Sequence, residues 1–145
     1  MRFCKAVVQC KMKSGRYSTS HLSRHWSPGN PLGHCQAPTC KETCETLEHL
    51  IISCPYYNKT RDNLVKLWTR PYTTTILSLL LTILAGPPHQ LLSFILDPAA
   101  HPHTIHLCQV YNQNQDILKI LFYLTRTWCY SIHKERLKLL KKWNF

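Results

Sequence analysis

The chain has 145 residues, 44% hydrophobic and 17% charged, a balance that sets it apart from disordered polymers and suits one cored domain or two small modules. Its 18 Lys and Arg against 7 Asp and Glu leave a formal charge of +11, which points to a polyanionic partner, either nucleic acid or an acidic membrane surface. The charge is laid out in blocks: residues 1–41 hold no acid, residues 71–118 hold no Lys or Arg, and the tail from Lys119 is basic again.

The opening "MRFCKAVVQCKMK" contains only Ala6-Val7-Val8 as an apolar run, too short for the core of a secretory signal. An intracellular location, cytoplasmic or nuclear, is therefore expected, and the eight cysteines read as metal ligands or buried thiols instead of disulfides. "KAVVQCKMKSGR" predicts a short basic helix closed by Gly15. "STSHLSRHW" offers Ser18 or Thr19 as a cap for a second, which "SPGNPLG" stops. An irregular loop, "QAPTC", precedes a helix over "TLEHLIIS", with Glu45 and Glu48 near its N-terminus, where the helix dipole favours negative charge.

After Pro55, "YNKTRDNLVKLW" predicts another helix. Two short apolar helices follow, around 75–85 and 89–96, parted by "GPP". The most apolar stretch, "ILSLLLTILAG", is about half the length needed to cross a bilayer, so a core helix is expected and a membrane role is not. "LDPAAHPHT" reads as a loop in which Thr104 is placed to cap the short helix "IHLCQVYN". The last helix runs from about Asp116 to Lys142 and is two-faced: Ile117, Leu121, Leu124, Trp128, Ile132 and Leu139 form one stripe. Lys119, Arg126, His133, Lys134 and Lys141 lie opposite, beside Tyr123 and Tyr130. Strand signal is weak throughout. The expected fold is mainly α: a small zinc-knuckle-like module within residues 1–70, then a bundle-like helical region over 71–145.

Residues 34–55, "HCQAPTCKETCETLEHLIISCP", hold four cysteines and two histidines. Structural zinc takes four nitrogen or sulfur ligands in a tetrahedron, usually as two close pairs. Cys35 and Cys40 make one pair and His49 and Cys54 the other. On a continuous helix His49 and Cys54 would point about 140° apart. Pro55 pushes the residue before it out of the α region, which lets Cys54 swing back toward His49. A set built from Cys40, Cys44, His49 and Cys54 also satisfies the spacing, and so do simply buried thiols. Cys35 is preferred to Cys44 because the "QAPT" loop can present both thiolates from a turn, whereas Cys44 sits beside the helix start and its acids. His34 reads as a loop histidine, and Cys4, Cys10 and Cys129 as ordinary thiols. A second constellation, His101, His103, His106 and Cys108, reads more readily as loop and cap chemistry than as a metal site.

"GRYSTSHLSRHW", the C-x4-C-x8-H-x4-C cluster with "ETLEHLIISCPYY", and the helix bearing Arg61 and Leu64 together resemble the C-terminal region of non-LTR retrotransposon reverse transcriptases. "FILDP" and "LFYLTRTWCYSIHKERLKLLKKW" extend the likeness over nearly the whole chain. Its most specific part is Glu48-His49-Leu50-Ile51-Ile52 with Cys54-Pro55. The resemblance implies that Cys35, Cys40, His49 and Cys54 hold a structural Zn2+, that RNA or DNA is the partner, and that the chain works beside a polymerase domain. It also makes the chain look like a separated tail of a larger element, with Met1 inside the original reading frame.

No Tyr-x-Asp-Asp polymerase motif occurs, and Asp62, Asp97 and Asp116 are isolated, so no catalytic site and no small-molecule substrate are expected. Phosphate contacts are expected from the basic head and tail, through Lys11, Lys13, Arg16, Arg24, Lys119, Arg126, Lys134 and Lys141. The alternatives are an interaction module that docks on a polymerase domain through its apolar middle, or an inactive remnant of a retroelement.

Overall fold

A computed structural model describes residues 2–26, 28–40, 42–70, 72–110 and 114–142. Six α-helices account for most of it: α1 (Arg2–Lys13), α2 (Asn58–Trp68), α3 (Thr74–Ala85), α4 (Pro88–Leu96), α5 (Pro102–Val110) and α6 (Asn114–Lys142). Single 3₁₀ turns lie at Arg24–Trp26, Pro55–Tyr57 and Pro98–Ala100, and a π-helical turn at His49–Ser53. Among the described residues the sole β pairing is an isolated antiparallel bridge between His34 and Cys44. The expectation of a mainly α chain is met.

Helix boundaries follow local chemistry. Gly15, at φ +74°, takes the left-handed conformation that closes α1, and the Arg16 amide then reaches back to the Lys11 carbonyl at 2.9 Å. α4 opens on Pro88, whose missing N–H costs nothing in a first turn. Two expectations are corrected. "STSHLSRHW" forms turns and one 3₁₀ turn in place of a helix. Thr19 does cap, accepting from the Leu22 amide at 3.2 Å. The Ser20 and His21 amides donate to the side chain and backbone of Glu45, so tertiary contacts fix this segment as turns. At α5 the capping group is His101, whose Nδ1 accepts from the His103 amide at 3.3 Å, while Thr104 is buried inside the helix.

α6 is the spine. It packs against α1, α2, α4, α5 and the π turn. All six residues of its apolar stripe are buried. Trp68 of α2 meets Phe94 of α4 and Trp128 of α6 edge-on, with ring centroids 5.7 and 4.9 Å apart, a favoured aromatic geometry. The α1–α6 contact is bridged by buried Gln9, whose Nε2 donates to the Ile95 carbonyl at 2.8 Å and to Thr125 Oγ1 at 2.9 Å. The buried cluster draws on both halves of the sequence, from Val8 and Met12 to Ile132 and Leu139. α3 and α4 turn Ile76, Leu80, Ile83, Leu91 and Phe94 into it. No helix among the described residues is long and apolar enough to cross a membrane.

Candidate metal centre

Cys35, Cys40, His49 and Cys54 converge, their ligand atoms all within 4.8 Å of one another. Cys35 Sγ lies 3.8 Å and Cys40 Sγ 3.7 Å from Cys54 Sγ. A disulfide needs about 2.05 Å. Three thiolates around zinc at about 2.3 Å each would stand about 3.8 Å apart on the edges of a tetrahedron. The separations fit that tetrahedron. His49 Nε2 is buried and has no hydrogen-bond partner among the described residues, an orphaned ring nitrogen of the kind a metal satisfies.

Each ligand is positioned by its own stretch of chain. Between Cys35 and Cys40 the loop tightens through the Cys40 amide on the Ala37 carbonyl, 3.0 Å, with Ala37 buried. The following segment is tied back by the Cys35 amide to the Thr43 carbonyl, 2.7 Å, and by the Glu45 amide to the Gly33 carbonyl, 2.9 Å. Along extended chain, neighbours face opposite ways. Glu45 points inward and is buried; Cys44 points out and is exposed, its Sγ 3.8 Å from the Leu32 carbonyl. Cys44 therefore stands outside the cluster.

The His49–Cys54 pair is made by a π turn. The Cys54 amide donates to the His49 carbonyl at 2.7 Å, an i→i+5 bond that brings two residues five apart onto one side. Cys54 itself leaves the helix at φ −60°, ψ 119°, the conformation Pro55 imposes on it. The expected helix over "TLEHLIIS" is thus wound more widely than an α-helix, and the proline completes the geometry.

Behind the ligands lies a buried polar support. Arg61 Nη2 donates to the Cys54 carbonyl and, at 2.7 Å, to Asn58 Oδ1. Trp128 Nε1 of α6 donates to the Ile51 carbonyl at 3.2 Å, one of the groups a terminating helix leaves unpaired. Arg136 grips Glu45, with Nη2 2.7 Å from Oε1 and Nε 3.2 and 3.3 Å from the two oxygens. None of these roles can be read from spacing near the cluster. Only Arg61, two turns past Cys54, lay close enough in sequence to be found.

The electrostatics suit a cation. The S–H of Cys35 stabilises a thiolate at Cys54 and lowers its pKa, while that same contact, with burial, pushes Cys35 upward. Three thiols this close cannot all ionise without a positive charge among them. Burial, helped by the Arg61 charge and opposed by Glu45, holds His49 below its ordinary value and favours the neutral imidazole that ligates metal. With four protein ligands the site has no open position, so the arrangement suits a structural ion.

The other residues singled out in the sequence are dispersed. Among the described residues no metal-competent group includes His101, His103, His106 or Cys108. Of the basic residues, Lys13 is paired with Asp97 at 2.7 Å and Arg24 donates to the His21 carbonyl at 2.6 Å. Lys11, Arg16 and Lys141 are exposed. Lys134 lies 5.7 Å from the Tyr130 ring. Lys119 and Arg126 share a groove with Lys5, which the sequence reading did not select. No protein family, curated protein or solved structure matches the chain.

Proposed function

We propose that the chain is a zinc-stabilised nucleic-acid-binding module of the kind found downstream of the polymerase domain in non-LTR retrotransposon reverse transcriptases, with no catalytic site of its own. The observation that carries this reading is the convergence of ligand atoms from Cys35, Cys40, His49 and Cys54 within 4.8 Å of one another, with Cys54 Sγ at tetrahedral-edge distance from the other two sulfurs; these are the same four residues that the resemblance assigns. Three thiolates and one imidazole favour zinc over harder cations. Zinc would knit the loop and the π turn into a knuckle-like module held against the helical region. Support for RNA or DNA as the partner comes from the +11 charge and from Lys5, Lys119 and Arg126 on α1 and α6, which make no ion pair among the described residues. Docking on a polymerase domain through the apolar middle has less surface to use, since α3 and α4 bury most of their apolar residues within this chain.

The test is a metal assay on protein purified reduced, together with salt-dependent binding to a generic RNA oligonucleotide. One zinc per chain is expected, lost in Cys35→Ser and kept in Cys44→Ser; the reverse pattern overturns the ligand set. Binding should weaken steeply with salt and show little sequence preference. A zinc-loaded protein that binds neither RNA nor DNA at low salt overturns the nucleic-acid part and leaves the interaction module.

A further inference from the structure

An open groove of about 680 Å³ runs between α1, the α2–α3 connection and the first half of α6. The residues that give it chemical character are Lys5, Tyr72, Lys119, Phe122, Tyr123 and Arg126. Among the described residues it is lined by three cations and no carboxylate. The ion pairs among the described residues lie elsewhere, at Lys13–Asp97, Arg136–Glu45 and Lys138–Glu135.

Cations and rings alternate within the groove. Lys5 Nζ lies 5.6 Å from the Tyr123 ring centroid, and Arg126 Cζ lies 4.7 Å from that of Phe122. Arg126 is aimed by its Nε, which donates to Gln9 Oε1 at 3.2 Å; among the described residues its Nη groups have no hydrogen-bond partner. Gln9 is itself anchored to α4 and α6, so the guanidinium is held in place before any ligand arrives. Lys119, Tyr123 and Arg126 fall at i, i+4 and i+7, one face of α6 spanning about 10 Å. Tyr123 is 52% exposed, so part of its ring is open to a ligand.

The geometry points to this groove as a binding site for single-stranded nucleic acid, with a base stacked on Tyr123 and the flanking phosphates held by Lys119, Arg126 and Lys5. The inference rests on the nucleic-acid reading above and gives it a location. Unpaired bases stack on aromatic rings whatever their sequence, and a basic groove tracks the backbone. A duplex hides its base faces. An acidic peptide would use the cations but leave the rings idle.

The test is fluorescence anisotropy of a short, unstructured, labelled RNA on the full chain with zinc present, at several salt concentrations. Tyr123→Ala should weaken binding about 5- to 150-fold, and Tyr123→Phe should restore it, because stacking needs the ring and not the hydroxyl. Lys119→Gln should lower the slope of log affinity against log salt by about 0.7. Circular dichroism checks that the variants fold, as expected for side chains this exposed. If both Tyr123→Ala and Lys119→Gln bind like the unsubstituted protein while Arg16→Gln or Lys134→Gln weakens binding, the groove assignment is overturned and the nucleic-acid reading survives. If polyglutamate displaces the RNA as well as unlabelled RNA does, the occupant is an acidic protein and the assignment fails. No binding of RNA or DNA by the unsubstituted chain defeats both readings together.

Discussion

Glu45 and Arg136 form the pair on which single-residue energetics turn. Their side chains are 1% and 9% exposed. Burial alone would lower Arg136, but the Glu45 carboxylate beside it more than offsets this and leaves the guanidinium above its ordinary value. The carboxylate also accepts from the Ser20 amide at 2.7 Å, so three distant segments meet on one side chain. Removing one member of such a pair strands the other charge without water. Arg136→Met should therefore cost about 3–5 kcal/mol, read by urea denaturation, and Glu45→Met added to it should recover much of that loss. A cost for Arg136→Met below about 1 kcal/mol would show that the pair does not anchor the segment. Glu45 was legible as an acid suited to a helix start; its partner, 91 residues away, leaves no local trace. The choice of Cys35 over Cys44 was legible from the turn-forming loop, and the structure supplies the reason: Cys44 sits one step out of phase with inward-facing Glu45.

At the scale of elements, the His49–Ser53 turn shows what spacing reveals and what it hides. A separation of five positions between His49 and Cys54 conflicts with an α-helix, and Pro55 is enough to place Cys54 outside it. The wider winding was not legible, because the contact that supports it comes from far along the chain. Trp128 Nε1 pairs the Ile51 carbonyl that the turn leaves open, a contact made across 77 residues. Pro55→Ala lets Cys54 relax toward the α region. It should weaken zinc about tenfold, as disturbed outer supports of metal ligands do. Trp128→Phe keeps most of the buried ring but abandons the Ile51 carbonyl. It should cost about 1–3 kcal/mol and weaken zinc as well. Competition with a chromogenic chelator measures both; unchanged zinc affinity in both variants would show that the turn holds its shape without them. The apolar stripe of α6 needed no such help, since its 3.6-residue period is local and names its own buried face.

Over the whole molecule, the cluster, α2 and α6 are fastened through Arg61, Trp128 and Arg136, so metal and fold should respond as one. Zinc binding contributes folding free energy. Chelation should therefore lower the melting temperature of the entire chain, seen in the helical core through tryptophan fluorescence as well as at the cluster. Acid should act in the same direction. Burial lowers His49, His101 and His133 below the ordinary 6.5, joined at His101 by the His103 charge and at His133 by Arg136 and Lys11. A depressed folded-state value means the unfolded chain binds more protons between the two values, so stability rises with pH across that window. Stability should be full above about pH 6.5 and fall as the solution is acidified toward pH 5, before ordinary carboxylates titrate. The fall should be shallow in chelator, where the three imidazoles act with an empty cluster. It should be steeper with zinc, where protons also compete for His49 and three thiolates. His133 accepts or donates at Tyr17 Oη, 2.8 Å from its Nδ1, and His133→Gln should flatten part of the chelator curve. Melting temperatures that stay level or climb between pH 6.5 and 5, with and without zinc, would show that these buried imidazoles do not govern the acid response.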